Sequence, residues 1–141
     1  MKLHNAAAVA VVALGAVHLA QRERHQRQQN EVAVMGMQLD WLTHLTTQPE
    51  FARLWAPEDI PVEEYIQLLH ANQQICALSL RHNLGLLRGR RLRFVADAVM
   101  KREHSRRYWE RFGSCRDAEA DGDVLDIAFT EVMHTAYLRA T

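Results

Sequence analysis

The stretch from Ala6 to Ala20, AAAVAVVALGAVHLA, runs without a break into Gln21-Arg22-Glu23-Arg24-His25-Gln26-Arg27. A helix of small apolar residues closed by arginines reads as a membrane anchor with a set orientation. A bilayer core about 30 Å thick needs roughly 20 helical residues. Counting from Leu3 to Ala20 brings the segment close to that minimum, with His18 as a costly passenger. A secretory signal peptide competes, since Lys2 supplies a thin basic start and Ala13-Leu14-Gly15 offers a cleavage site. The arginines after the run resist translocation and outnumber the lysine before it, which favours retention. A soluble helix or a peripheral membrane contact is the third reading. The expected organisation is an anchor over residues 1–20, a polar Arg/Gln neck over 21–31 and a helical domain over 32–141.

The remainder of the chain argues for helices. Val32, Met35, Leu39, Leu42 and Leu45 recur at helical spacing, and no proline occurs before Pro49. Asn5 suits an N-cap for the first helix. Thr47 with Glu50 suggests a capping box that opens a short helix, Pro49 to Ala56, with Phe51, Leu54 and Trp55 facing inward. Pro61 suits the first turn of the next helix, which reaches about Asn83, and Gly85 is its stop. Core candidates there are Ile66, Leu69, Ile75, Cys76 and Leu80.

Gly89 marks a further joint. Leu92, Val95, Ala96 and Val99 predict another helix, continued from a Ser105 cap through Tyr108, Trp109 and Phe112 and ended by Gly113. Residues 114–123 read as a loop. Leu125, Phe129, Val132, Ala136 and Tyr137 predict the last helix, whose N-terminus favours Asp121, Asp123 and Asp126. No hairpin signal or alternating strand pattern occurs. The expected class is all-α: an N-terminal membrane-anchor helix continuing into a small four- to five-helix bundle.

The net charge is zero, but it is segregated. Residues 81–116 hold eleven Arg/Lys against three acids, whereas 117–141 hold six acids against Arg139. Guanidinium groups bind phosphates bidentately, so Arg88, Arg90, Arg91 and Arg93, with Arg22, Arg24 and Arg27, are candidate contacts for an anionic lipid surface. Intramolecular or intersubunit pairing with the acidic C-terminal segment is the competing reading. Nucleic acid is disfavoured by the neutral total and by the lack of a recognition-helix pattern.

Catalytic signals are weak. Cys76 and Cys115 form no CxxC or zinc spacing, and in a reducing compartment they read as free thiols. Glu131-Val132-Met133-His134 is a Glu-x-x-His without the second copy that a di-iron bundle requires. Gly85-Leu86-Leu87-Arg88-Gly89-Arg90 lacks the strand and the Lys-Ser/Thr of a phosphate loop. No catalytic residue, metal or cofactor is expected.

Two blocks carry a resemblance: Phe51-Ala52-Arg53-Leu54-Trp55-Ala56-Pro57 and Arg107-Tyr108-Trp109-Glu110-Arg111-Phe112. With the N-terminal run and the Leu84-Gly85 stop, they resemble an uncharacterised actinobacterial family of small, membrane-anchored helical proteins, a domain of unknown function. The likeness covers most of the chain after residue 30. It implies an N-terminal membrane segment and a helical cytoplasmic domain, and it transfers no activity.

The functional expectation is a membrane-tethered interaction or regulatory module without catalytic activity, single-pass, with its C-terminal domain cytoplasmic. Its expected partners are an anionic membrane surface and a protein, either an unidentified one or a second copy of the chain. The alternatives are a soluble cytoplasmic protein, or a small helical enzyme or ligand carrier using His70, Asn72, His82 and Tyr108 in the bundle interior.

Overall fold

The computed structural model describes residues 2–141, with side chains from residue 6 onward. Six helices follow in order: α1 (Lys2–Thr47), α2 (Pro49–Trp55), α3 (Val62–Asn83), α4 (Gly89–Met100), α5 (Glu103–Glu119) and α6 (Val124–Ala140). No strand occurs among the described residues. The all-α expectation holds, with a long N-terminal helix followed by a helical bundle. Two compact units divide the chain at Val34/Met35, and α1 runs through both.

In the first unit, residues 6–20 are exposed throughout, valines and leucines included. Asn5 lies within α1 rather than at its cap, because the helix already begins at Lys2. The polar segment that follows is held by local pairs one turn apart, Arg27 to Glu23 at 3.1 Å and Gln26 to Asn30 at 3.0 Å. Such exposed pairs add only tenths of a kcal/mol, about 0.2–0.5 each.

The second unit holds two apolar clusters. The larger joins α3 to α6 through Ala71, Ile75, Leu87, Leu92, Ala96, Met100, Trp109, Phe129 and Met133, nearly all fully buried. The smaller joins the end of α1 to α2 and α3 through Leu42, Leu45, Ala52, Leu69 and Cys76. Each large side chain in these clusters contributes roughly 1.5–3 kcal/mol by leaving water. Met35 and Leu39 pack against the smaller cluster as their spacing suggests, whereas Val32 stays exposed.

Two expectations about α2 are corrected. Thr47 does not cap α2: its hydroxyl donates back to the Thr43 carbonyl, and Gln48 takes the N-cap place without a side-chain capping bond, its amide lying 3.3 Å from His44 Nδ1. Phe51, Leu54 and Trp55 do not face inward, being 39%, 77% and 59% exposed; the small Ala52 is the buried contact. A seven-residue helix has one narrow inner stripe, and the close approach selects alanine for it. Phe51 and Trp55 instead pack against neighbouring rings, Phe51 tilted on the half-buried His44 at 4.6 Å and Trp55 edge-on to the exposed Trp41 at 5.5 Å.

The stop after α3 forms as expected. Gly85 adopts φ +78°, its N–H donates to His82 O and Leu86 N–H donates to Arg81 O. This double bond is the Schellman closure, which needs a left-handed residue that glycine adopts without strain. Gly113, by contrast, does not end α5, which continues to Glu119. Its missing side chain makes room for the Trp109 indole, since a Cβ there would meet Trp109 Nε1 at 3.1 Å. The expected loop therefore shrinks to a short turn before Val124. Ser105 is not a cap either; it is fully buried inside the first turn of α5, with Arg102 at the N-cap place.

Candidate functional site

The basic stretch from Arg81 to Arg116 splits into two populations. Along α5 the guanidinium groups are engaged. Arg111 holds Asp59 with two bonds of 2.7 and 3.0 Å. Arg107 bridges Glu64 at 3.1 Å and Glu103 at 2.9 Å. Arg106 donates to the carbonyls of Met100 and Lys101, both at 2.8 Å, and so satisfies the end of α4. Arg102 reaches Gln74 at 3.3 Å. The hydrogen bond from Arg111 holds the Asp59 carboxyl below its ordinary range.

On α4 the arginines remain unengaged. Arg90, Arg91 and Arg93 are exposed and form no ion pair or side-chain hydrogen bond among the described residues. Arg88 is also exposed, with its guanidinium folded over the Gly85 turn, 2.7 Å from where a Cβ on Gly85 would lie. The first turn of α4 contains no acid and no side-chain cap, so these cations stand at the positive end of the helix uncompensated. The only acid on α4, Asp97, is taken by Arg139 at 2.7 Å. No ion pair joins the α4 arginines to the acids of 117–131 among the described residues; Asp123 instead caps α6 and Asp126 accepts from Asn83. Of the other candidate anion contacts, Arg22, Arg24 and Arg27 are exposed in the first unit, Arg27 paired with Glu23.

Exposed apolar residues accompany the unengaged arginines. Leu92, Ala96, Val99 and Met100 form the buried stripe of α4. Phe94 lies opposite that stripe at about 100° per residue, and it is 74% exposed. Its helical neighbours one turn away are the exposed Arg90, Arg91 and Ala98 and the half-buried Asp97, which is paired with Arg139. Leu86, in the turn leading to α4, is 61% exposed.

The interior suspects are only half united. Asn72 and Tyr108 meet, but their other partners are Arg116 and Cys76 rather than histidines. Tyr108 Oη donates to Asn72 Oδ1 at 2.8 Å; Arg116 donates through Nε to Tyr108 Oη at 3.0 Å and through Nη2 to Asn72 Oδ1 at 2.7 Å. Cys76 Sγ lies 3.1 Å from the same Nη2. Burial pushes the Tyr108 hydroxyl up, and the Arg116 charge opposes that push. At Arg116 burial works against the charge, but the field of Tyr108 and Cys76 outweighs it and raises the guanidinium further. The four groups satisfy one another, so the cluster acts as a polar clasp between α3 and α5.

His82 lies elsewhere, its Nδ1 3.0 Å from the Leu87 carbonyl and its ring beside Phe129. His70 is exposed. His134 accepts from the Trp109 indole at 3.4 Å, and no group of three metal-capable side chains exists among the described residues. Arg116 escaped the sequence reading because residues 114–123 looked like a loop. The signal that could have found it is its eight-residue spacing from Tyr108, which places both on one face of a continued helix.

A family described as "Family of unknown function (DUF6082)" matches residues 3–141. No curated protein and no solved structure matches the chain.

Proposed function

The chain belongs to this family of unknown function, and from that premise we propose that it is a membrane-tethered helical module that works by surface contact rather than by catalysis. The observation that carries the proposal is the apolar start of α1. Val9, Val11, Val12, Leu14 and Leu19 are about two-thirds exposed or more. In water a run of such residues is buried in a core or against a partner; a bilayer satisfies it directly. Among the described residues one helix, α1, is long and apolar enough to cross a membrane by length and composition.

Orientation follows from charge. Arg22, Arg24 and Arg27 follow the apolar run while Lys2 alone precedes it, so the positive-inside rule leaves the bundle cytoplasmic in a single-pass arrangement. The finer reading of the family, as actinobacterial and membrane-anchored, belongs to the same proposal and rests on the resemblance of its sequence blocks. The partner is an anionic membrane surface together with a protein, in which the exposed Trp41, Leu54 and Trp55 offer large apolar contacts.

Fractionation tests this reading. The full chain is expected in the membrane fraction after both high salt and alkaline carbonate, and removal of residues 1–20 is expected to release a soluble folded domain. Recovery of the full chain in the soluble fraction would sink the tether. N-terminal sequencing that begins just after Gly15 would replace the anchor by a cleaved signal.

A further inference from the structure

The outer face of α4 carries an exposed aromatic ring and cations that no intramolecular contact engages among the described residues. Phe94 is 74% exposed at the pole opposite the buried stripe. Arg90 and Arg91 lie one turn back from it and Arg93 about 100° round the helix, none with an acid partner among the described residues; Asp97 lies one turn on, and the exposed Lys101 follows two turns on. The helix's only acid is neutralised by Arg139. An exposed aromatic ring centred among unpaired guanidinium groups matches the layered chemistry of a lipid surface, apolar below and phosphate-bearing above.

We propose that the outer face of α4 is a second lipid contact, in which Phe94 enters the boundary between headgroups and acyl chains while Arg90, Arg91 and Arg93 take phospholipid phosphates. The proposal rests on the membrane-tethered reading only for proximity; the face has its own chemistry. Long arginine stems lie along apolar surface while their heads reach phosphate, so an aromatic ring and its cationic rim can be satisfied together. Leu86, at the turn before the helix, is a second exposed apolar side chain of the same segment. An aliphatic side chain has no stacking role on a nucleobase, and the chain as a whole carries no net charge, so phospholipid fits better than nucleic acid. Each arginine close to an anionic leaflet strengthens attachment about fivefold.

The test uses the full chain with vesicles of phosphatidylcholine alone and of phosphatidylcholine mixed with phosphatidylglycerol. Backbone hydrogen exchange is followed over residues 86–98, and carbonate extraction is run beside it. With phosphatidylglycerol, exchange in this segment is expected to slow about tenfold relative to phosphatidylcholine alone. Phe94→Ser, and separately the double change Arg90→Gln with Arg91→Gln, should each remove most of that slowing. All three positions are exposed, and circular dichroism verifies that the variants fold.

Equal exchange on the two vesicle types overturns the proposal. Slowing that survives Phe94→Ser reduces the contact to charge alone and overturns the insertion. Stronger protection by a single-stranded RNA oligonucleotide, or protection without any vesicle, assigns the face to another partner. Loss of carbonate resistance with the α4 protection intact strikes the tether and leaves the lipid face standing; the reverse result does the opposite.

Discussion

Two adjacent helices carry arginine at similar density, and the fold treats them differently. On α5, Arg107 and Arg111 cross to acids, Arg106 closes the end of α4, and Arg116 turns into the interior. On α4, Arg90, Arg91 and Arg93 reach no acid among the described residues. The difference lies in what each helix faces. The neighbourhood of α5 supplies Asp59, Glu64 and Asn72 from the preceding loop and α3. By contrast α4 presents Arg90 and Arg91 on the side away from its packed stripe, where no other element supplies a carboxylate among the described residues. A charge-rich stretch therefore divides into a structural half and an available half.

That division can be broken most severely at Arg116. Replacing Arg116 with alanine removes three charge-assisted hydrogen bonds, to Tyr108, Asn72 and Cys76, and the guanidinium lying 5.7 Å from the Tyr108 ring centre. The expected loss is about 2–3 kcal/mol in a urea melt. A loss under about 0.5 kcal/mol would show that the clasp does not hold α3 to α5.

A second effect appears in alkali. The raised pKa of Tyr108 comes first from burial, with Arg116 pulling the other way. The folded state therefore keeps the phenolic proton more tightly than the unfolded chain. The resulting stabilisation is full below the ordinary tyrosine value of about 10 and is lost as pH rises towards the folded value. Stability measured across this window should fall less steeply in Tyr108→Phe; Tyr65, whose pKa burial also raises, leaves a residual slope. An unchanged slope would place the titration elsewhere.

The smallest effects sharpen the contrast between the helices. Arg107→Gln removes half-exposed ion pairs to Glu64 and Glu103, so it should cost at most about 1 kcal/mol. The double change Arg90→Gln with Arg91→Gln should leave the melting curve within about 0.5 kcal/mol of the parent, or raise stability slightly by relieving repulsion at the helix N-terminus. A larger loss in the α4 variant than in the α5 variant would reverse the assignment of structural and available halves.

Much of the secondary structure was legible because its causes are local. The apolar spacing of α1, the turn at Gly85 and the aspartates at the start of α6 all act within a few residues of where they sit. Errors arose where a local cue had a distant cause. Gly113 is the local exception: it resembles a helix stop, but the Trp109 indole one turn back on the same helix fills the space beside it. Phe51, Leu54 and Trp55 resemble a core stripe until α2 is seen to approach its neighbours through Ala52. The interior site was half legible: Asn72 and Tyr108 were singled out, but their partner Arg116 was hidden in a supposed loop, and His82 was spoken for by the Leu87 carbonyl.

By itself, then, the sequence determined the helical class, the apolar run from Ala6 with its arginine flank, and the segregation of charge along the chain. These are matters of periodicity, composition and order, and they need no knowledge of neighbours. Only the tertiary structure decided which arginines are occupied. The deciding contacts join residues far apart in the chain, 52 positions for Arg111 with Asp59 and 44 for Arg116 with Asn72. Whether a guanidinium is structural or available depends on a carboxylate or amide that folding brings to it, and helical spacing carries no record of that meeting.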